Sequence, residues 1–291
     1  MGITSLDRDW PRLGRCSNLQ DLYAGVKRGS GAGLSPACML DGRIPLYFVL
    51  EVTIPMTALR SASLLLIAAA PWLAAQQRSP QWRDLIGTDL TGWVNVNTDK
   101  DTWRVEKGEL ICTGHPIGVM RSDRQYENFI LEVDWMHVEP GGNSGIFAWS
   151  NAVPGSNRLP NGVEIQMLEL DWVKLNKKPD FDPPIAYVHG ELFGVGGVKT
   201  VPDNPRGERS KSILNLCKPR GQWNHYTVIC VDGVIKLAVN GTFVNGIAKS
   251  TQKKGYLCME SEGAEIHFKN LRIMELEPGV TDASQTAPVL Q

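Results

Sequence analysis

The chain has 291 residues, a formal net charge of -1 and 42% hydrophobic residues, which suits one large domain or two small ones. A charge so close to zero gives no electrostatic case for nucleic acid or an anionic membrane surface as a partner. The 29 glycines, 18 prolines and 9 tryptophans favour a loop-rich β protein over a helical bundle.

The first 80 residues lack the pattern of a folded domain. Residues 1–55 show no sustained period of 2 or 3.6, whereas residues 56–75 have a short basic start, an apolar centre and an end of small residues. That layout is typical of a secretory signal peptide, and its uncharged apolar run is shorter than the roughly 20 residues of a membrane span. We therefore predict that translation begins at Met56 and that residues 1–55 are a disordered extension created by a misassigned start. The mature protein would be secreted or periplasmic, without a stable membrane span; the alternative is a long extension with a membrane anchor.

Four of the six cysteines follow the predicted signal peptide, at Cys112, Cys217, Cys230 and Cys258. No Cys-x-x-Cys spacing occurs, so the cysteines do not indicate zinc. Cys230 and Cys258 lie in apolar runs, where a free cysteine behaves as a small buried hydrophobe. We expect buried thiols, with one disulfide as the alternative in an exported protein.

Short strands are predicted at close spacing from residue 80. They cover residues 92–96, 102–106, 109–113, 117–122, 128–138, 143–150, 162–170 and 186–193. Residues 194–222 follow as a long irregular segment with a local excess of Lys and Arg, and so long a loop is usually functional or mobile.

The C-terminal part has a more regular pattern. Asp232-Gly233 and Asn240-Gly241 predict tight hairpin turns between strands at 223–231, 234–240 and 242–245. Strands at 255–260 and 265–276 complete the domain, and a shift of the apolar face near Lys269 indicates a β-bulge. Residues 278–291 are predicted to be a frayed tail. About a dozen short strands without a long amphipathic helix predict an all-β sandwich of two antiparallel sheets, in one domain at residues 80–277.

Two of these strands carry polar side chains that a strand does not need. Glu164 and Gln166 share one face of the first, and His189 and Glu191 share one face of the second. Carboxylates gathered on one face cost desolvation energy unless they are solvated, paired or used, so this face is the candidate site. Glu169 lies five residues after Glu164, and only a bulge after Gln166 would bring it to the same face.

Several segments, in order and covering nearly all of residues 80–277, together resemble the 3-keto-disaccharide hydrolase family. This family is also described as 3-keto-alpha-glucoside-1,2-lyase/3-keto-2-hydroxy-glucal hydratase domains. The matching segments are Asp89-Leu-Thr-Gly-Trp93, Trp103-Arg-Val-Glu-Lys-Gly-Glu-Leu110, Asn143-Ser-Gly-Ile-Phe147, Gly162-Val-Glu-Ile-Gln166, His189-Gly-Glu-Leu-Phe193, Gly221-Gln-Trp-Asn-His-Tyr226, Val239-Asn-Gly241 and residues 255–276. The resemblance implies a concanavalin A-like jelly roll, exported and acting on a carbohydrate substrate. Many members carry a Gly-Ala-Leu-Tyr-like stretch where this chain has Gly190-Glu-Leu-Phe193, which adds a carboxylate.

The resemblance also implies a reaction: removal of the C2 proton of a 3-keto-glycoside, followed by elimination, hydration or both at C1. The residues that we expect to transfer protons are Glu164, His189, Glu191 and Glu169. The developing enolate needs a cation, either a basic side chain or a divalent metal ion held by His189 with one of the glutamates. The residues that we expect to contact substrate are Gln166, Asn143, Trp149, Trp172, Arg209 and Lys211.

Two alternatives stay open. Glu164, Gln166 and Glu169 are also similar to the Glu-x-Asp-x-x-Glu strand of laminarinase-type β-glucanases, whose retaining mechanism needs two carboxyls about 5–5.5 Å apart. Gln166 stands in the Asp position there and cannot supply the same charge. The other alternative is a non-catalytic, lectin-like carbohydrate-binding module, since fold does not fix function. Clustered carboxylates favour the enzyme, whereas an aromatic cleft with few titratable groups would favour the lectin.

Overall fold

The computed structural model describes residues 80–153, 159–279 and 282–290, so the predicted extension and signal peptide lie outside the described residues. Nearly all regular structure in the described part is β. The strands are β1 (Trp82–Asp84), β2 (Trp93–Val96), β3 (Trp103–Glu106), β4 (Glu109–Cys112), β5 (Gly118–Tyr126), β6 (Phe129–His137), β7 (Gly145–Ser150), β8 (Gly162–Gln166), β9 (Leu192–Val195), β10 (Val201–Pro202), β11 (Pro205–Arg206), β12 (Arg209–Ser210), β13 (Asn224–Val231), β14 (Val234–Val239), β15 (Thr242–Ala248), β16 (Gly255–Ser261) and β17 (Ile266–Glu275). The helical elements are a four-residue α-helix, α1 (Trp172–Leu175), and two 3-10 turns at Ile185–Val188 and Ala283–Gln285.

The strands form two antiparallel sheets. The first sheet has the order β10-β15-β14-β13-β6-β17-β4-β3, with β1 added beside β17. The second sheet has the order β11-β12-β9-β8-β7-β16-β5-β2. The predicted concanavalin A-like jelly-roll sandwich is therefore confirmed.

The core lies between the two sheets and is built by strand alternation. Val163 and Ile165 of β8 point into it from the second sheet, as does Met259 of β16, and Val228 of β13 meets them from the first sheet. Because successive side chains point to opposite faces, the intervening residues of β8 and β16 must lie on the outer face of the second sheet. This alternation puts acidic residues there.

The hairpin turns and the bulge near Lys269 are confirmed. Asp232 and Asn240 both adopt positive φ, at 45° and 49°, as the tight hairpin turns require. The register between β17 and β6 shifts between Lys269 and Arg272, where the bulge was expected. In the described part of the chain the cysteines are free and buried, as expected. No helix among the described residues is long and apolar enough to cross a membrane.

The predicted strand at 186–193 is wrong. Ile185–Val188 is a 3-10 turn that starts after Pro184, and β9 begins only at Leu192. Gly190, at φ 83°, turns the chain between them. A proline and a glycine with positive φ both interrupt a strand, so His189 and Glu191 do not share the regular alternation that was expected.

The segment expected to be a long loop and the tail expected to fray both carry structure. The loop contains β10, β11 and β12, which extend the two sheets. In the tail, the Gln125 side chain donates to the carbonyl oxygens of Ala287 and Pro288, at 2.7 and 3.0 Å, and the Tyr256 hydroxyl accepts from the Leu290 amide at 2.9 Å. Residues 282–290 are thus held against the second sheet.

Replacing Gly194 with alanine should destabilise the fold. A Cβ atom at this position of β9 would lie 2.0 Å from the carbonyl oxygen of Val198, so the backbone would have to shift. We expect Gly194→Ala to lower the free energy of unfolding by about 1–3 kcal/mol, measured by urea denaturation. Gly87→Ala is the control, because nothing lies within 4 Å of a Cβ atom there. Equal losses in the two variants would contradict this account.

Candidate active site

A cleft of about 500 Å³ opens on the outer face of the second sheet. Its polar lining comes from strands β8 and β12 and from residues at strand ends. These polar lining residues are Asn143, Glu164, Gln166, Glu191, Arg209 and Glu262. Aromatic side chains form much of the remaining wall, namely Trp172, Phe181, Tyr187 and Phe193. The cleft thus combines flat apolar surfaces with titratable groups.

Three glutamates gather beside this cleft, and we call Glu164, Glu260 and Glu262 the carboxyl cluster. Glu164 of β8 is 5% exposed, Glu260 of β16 is 0% exposed, and Glu262 just after β16 is half-buried. Gly145 of β7 lies between the first two: a Cβ atom there would be 3.2 Å from Glu164 Oε1 and 3.0 Å from Glu260 Oε2. Glycine leaves the space in which the two carboxyls approach each other.

Two amide side chains border the cluster. The Asn143 Nδ2 atom donates to Glu262 Oε2, and Asn143 Oδ1 accepts from Gln166 Nε2 at 3.1 Å. The Gln166 Oε1 atom is buried and has no hydrogen-bond partner in the described structure. Asn143 and Gln166 therefore lie in the cleft as predicted, and they orient Glu262 at its edge.

Burial and mutual repulsion keep part of the cluster protonated. Burial raises the pKa of Glu164 to about 8, the negative charge of Glu262 adds to the rise, and Arg209 opposes it. Burial likewise raises the pKa of Glu260 well above its usual range, with Glu164 and Glu262 adding to the effect. Burial also raises the pKa of Glu262, but a hydrogen bond from Glu260 works in the opposite direction. At neutral pH Glu164 is mostly a carboxylic acid.

Glu191 is held by two arginines on the β11–β12 hairpin. Arg206 binds it through two nearly parallel hydrogen bonds, Nε to Oε1 at 2.6 Å and Nη2 to Oε2 at 2.8 Å, and Arg209 Nη1 adds a third at 3.1 Å. Glu191 itself is 0% exposed, so this bidentate pairing compensates for its lost hydration. The Arg209 guanidinium also lies 3.6 Å from the centre of the Phe193 ring. Glu191 thereby fixes Arg209 at the cleft wall.

His189 does not line the cleft, contrary to the prediction. Its Nδ1 atom accepts a hydrogen bond from the Cys217 amide at 3.2 Å, and its own carbonyl accepts from the Ser212 hydroxyl at 2.6 Å. Burial lowers the pKa of the imidazole. His189 ties the irregular segment after β12 to the turn before β9, and Glu191 is the member of the predicted pair that reaches the cleft.

Glu169 also lies away from the cleft, and the predicted bulge does not form. Alternation continues past β8, so Met167 points into the core and Leu168 lines the cleft. The Glu169 carboxylate accepts hydrogen bonds from the backbone amides of Gly141, Asp171 and Arg220, at 2.7, 2.8 and 3.3 Å. It organises three loops instead of facing Glu164.

The remaining candidates divide between the cleft and other places. Trp172 lines the cleft and meets Tyr187 edge to face at 5.8 Å. Trp149 is buried in the core, and its indole nitrogen donates to the Glu127 carbonyl at 2.7 Å. Lys211 lines a separate depression beside Arg206. Trp149 and Lys211 are therefore not where the prediction placed them.

A divalent ion held by His189 with a glutamate was one of two alternatives for stabilising the enolate. His189 does not line the cleft that Glu164 and Glu191 line. Among the residues that the structure describes, no group of three or more His, Cys, Asp or Glu side chains is placed to hold a metal ion.

Glu260 and Glu262 are the site residues that sequence reasoning missed. The strand from Gly255 to Ser261 has a mostly apolar sequence, and Glu260 is the last residue of the strand predicted at 255–260. The same period-2 alternation that singled out Glu164 would have placed Glu260 on the face opposite Met259. A carboxylate within an otherwise apolar strand was the available signal.

The family assignment agrees with this geometry. Residues 81–274 match the family model of the 3-keto-alpha-glucoside-1,2-lyase-like domain, which is more than half of the chain. The protein therefore belongs to this family, whose members act on carbohydrates. No curated protein sequence matches the chain.

Solved structures of similar fold accompany the family match. A provisionally assigned glycosyl hydrolase of Parabacteroides distasonis ATCC 8503 has 20% identity and a TM-score of 0.55, covering 67% of this chain and 94% of that one. A second such protein from the same organism has 21% identity and a TM-score of 0.48, covering 67% and 100%. A Bacillus licheniformis β-glucanase has 12% identity and a TM-score of 0.42, covering 69% and 100%. The first of these likenesses supports the jelly-roll fold.

Glu164→Gln should change how stability depends on pH. The folded-state pKa of Glu164, about 8, lies above its ordinary value of 4.5, so between these values the folded chain binds more protons than the unfolded chain. Stability therefore falls as pH rises through this window, on the order of 1 kcal/mol per pH unit for one proton. We expect the variant to gain stability relative to the wild type across the window, measured by urea denaturation. Lys211→Gln is the control, and a pH-independent difference for Glu164→Gln would refute the assignment.

Proposed function

We propose that this protein cleaves 3-keto-glycosides by proton abstraction at C2 and elimination at C1. The observation that carries the proposal is the pairing of a protonated carboxyl, Glu164, with a second carboxyl, Glu262, in one carbohydrate-sized cleft. Neighbouring carboxyls whose pKa values are pushed apart are the usual basis of an acid and a base in one site. The family match supports the 3-keto substrate.

In the proposed reaction Glu262 removes the proton from C2, which the neighbouring C3 ketone has made acidic. The C–H electrons form a double bond between C2 and C3, and the carbonyl electrons move to the C3 oxygen. The result is an enolate whose negative charge rests on that oxygen. Expulsion of the C1 oxygen then forms the C1–C2 double bond and restores the ketone, while Glu164 gives its proton to the leaving oxygen. One proton enters the protein and one leaves, so charges and atoms balance. Addition of water to the unsaturated product would complete a hydrolysis.

Arg209 is the group that we assign to the enolate. It lines the cleft, and of its nitrogens only Nη1 donates to Glu191. A cation fixed in advance beside a developing negative charge stabilises the transition state more than the ground state. Arg209 is thus the basic side chain that we assign to stabilising the enolate, for which the sequence left a basic side chain or a metal ion as alternatives.

The glucanase alternative is less well supported. Its second carboxyl would be Glu169, which accepts three backbone hydrogen bonds away from the cleft. Its central aspartate is replaced by Gln166, whose amide is bonded to Asn143. The lectin alternative has one favourable observation, the aromatic wall formed by Trp172, Phe181, Tyr187 and Phe193. Such rings stack on sugars whether or not a reaction follows.

Matched substrates test the reaction. We expect release of the leaving group from a 3-keto-glucoside and little or none from the parent glucoside, because only the ketone acidifies the C2 proton. Glu164→Gln should lower turnover by about 10²-fold or more, the usual contribution of a general acid, with a smaller effect on binding. Lys211→Ala, outside the cleft, is the control. Equal turnover of both sugars would favour the glucanase, and binding without turnover would favour the lectin.

We also propose that the protein is exported by the segment at residues 56–75. The support is its sequence layout, with a basic start, an apolar centre and small residues at its end. N-terminal sequencing of the protein from its native host should give a mature chain that begins near Gln76. A mature chain that retains residues 1–55 would overturn both the export signal and the start at Met56.

A further inference from the structure

Glu260 is a buried carboxyl for which the proposed reaction has no direct use. It is 0% exposed, and neither of its carboxyl oxygens has an N–H or O–H donor as a partner in the described structure. Its backbone is fixed, because its carbonyl accepts from the Ser144 hydroxyl at 2.9 Å. A buried carboxylate without donors is costly, so the side chain is favoured as a carboxylic acid that donates its own proton.

The groups around Glu260 limit which of them can accept a hydrogen bond from its carboxylic acid. Glu164 faces it across Gly145 from β8, and Glu262 follows it in the sequence, just after the end of β16. The thiols of Cys112 and Cys258 also lie close enough to feel the charge of Glu260, and burial raises the pKa of both. Arg121, on the neighbouring strand β5, lies over the Tyr256 ring at 4.3 Å. Because Glu164 is itself mostly protonated at neutral pH, Glu262 is the carboxylate that can accept from Glu260.

We propose that Glu260 is a positioning residue whose carboxylic acid donates a hydrogen bond to Glu262, so that Glu262 stays ionised and Glu164 stays protonated. The donated bond stabilises the negative charge of Glu262, and that charge in turn disfavours ionisation of Glu164. The catalytic consequence rests on the proposed function, whereas the distribution of protons within the cluster does not.

The hydrogen bond from Glu260 to Glu262 gives two residues of the same type different roles, with Glu164 as the acid and Glu262 as the base. Glu164 and Glu262 are both glutamates near one cleft, and without a third group they would compete for one proton. A proton that Glu260 donates to Glu262 makes the two glutamates unequal. The Asn143 amide supports the same outcome, since it also donates to Glu262.

Infrared titration of the full chain tests the proton distribution without any substrate. Carboxylic acid absorptions are assigned with Glu164→Gln, Glu260→Gln and Glu262→Gln. We expect the Glu164 absorption to be lost near pH 8 in the wild type, and Glu260→Gln to remove a second acid absorption that persists above that pH. If Glu260→Gln removes no acid absorption at neutral pH, Glu260 is ionised and the proposal is wrong. This readout needs only the conservative variant, so it holds even if bulkier changes prevent folding.

A donor-swap comparison tests the hydrogen bond itself. Glu260→Gln keeps an N–H donor beside Glu262, whereas Glu260→Met has a similar size and no donor. We expect Glu260→Gln to keep the midpoint of Glu164, and Glu260→Met to lower it, because Glu262 then takes up a proton and loses its charge. On a 3-keto-glucoside, Glu260→Met should lower kcat/KM about tenfold or more and narrow the pH profile, as loss of a hydrogen bond to a charged group implies. Glu260→Gln should retain most activity.

Equal midpoint shifts in the two variants would overturn the proposal, since the donor would then be irrelevant. So would loss of the wild-type acid absorption on adding calcium or magnesium ions, because the unpartnered oxygens would then serve a cation. If the infrared result holds and no sugar is cleaved, the proton distribution stands and the proposed function fails. The two claims are thus tested separately.

Discussion

The cost of removing carboxyl groups from water governs the whole outer face of the second sheet. Five glutamates of this part of the molecule are buried or half-buried, and they do not all meet that cost in the same way. Glu191 is neutralised by arginines, and Glu169 accepts hydrogen bonds from backbone amides. Glu164 and Glu260 have no such partners among the residues that the structure describes, so they keep protons instead. Whether a carboxyl has hydrogen-bond donors as partners therefore decides whether its role is structural or whether it is available for chemistry.

The rest of the site follows from how these costs are met. The arginines that neutralise Glu191 come from the β11–β12 hairpin, so the same contacts attach that hairpin and present Arg209 to the cleft. The amide of Asn143 joins Gln166 to Glu262 and so links two strands that are not adjacent. The same hydrogen bonds therefore stabilise the fold and position the site, so a substitution that removes one of them would affect both.

Local patterns predicted the sandwich well, because strand alternation and hairpin turns depend on residues close together in the sequence. They also placed Glu164 and Gln166 on the right face. The Gly190 turn broke the strand that was meant to carry His189, and its positive φ could not be inferred from an apolar run. The meeting of Glu260 with Glu164 was beyond the sequence, because it depends on β7 lying between β8 and β16 in the sheet. Such neighbours are set by tertiary pairing.

The order of strands in the sheets has a consequence for how the protein is made. The last two strands of the chain are internal: β16 lies between β7 and β5, and β17 lies between β6 and β4. Neither sheet can complete its strand pairing until these final strands have been synthesised. Such pairings form slowly because they join distant parts of the chain. A nascent chain of this topology therefore remains open until its C-terminal strands emerge.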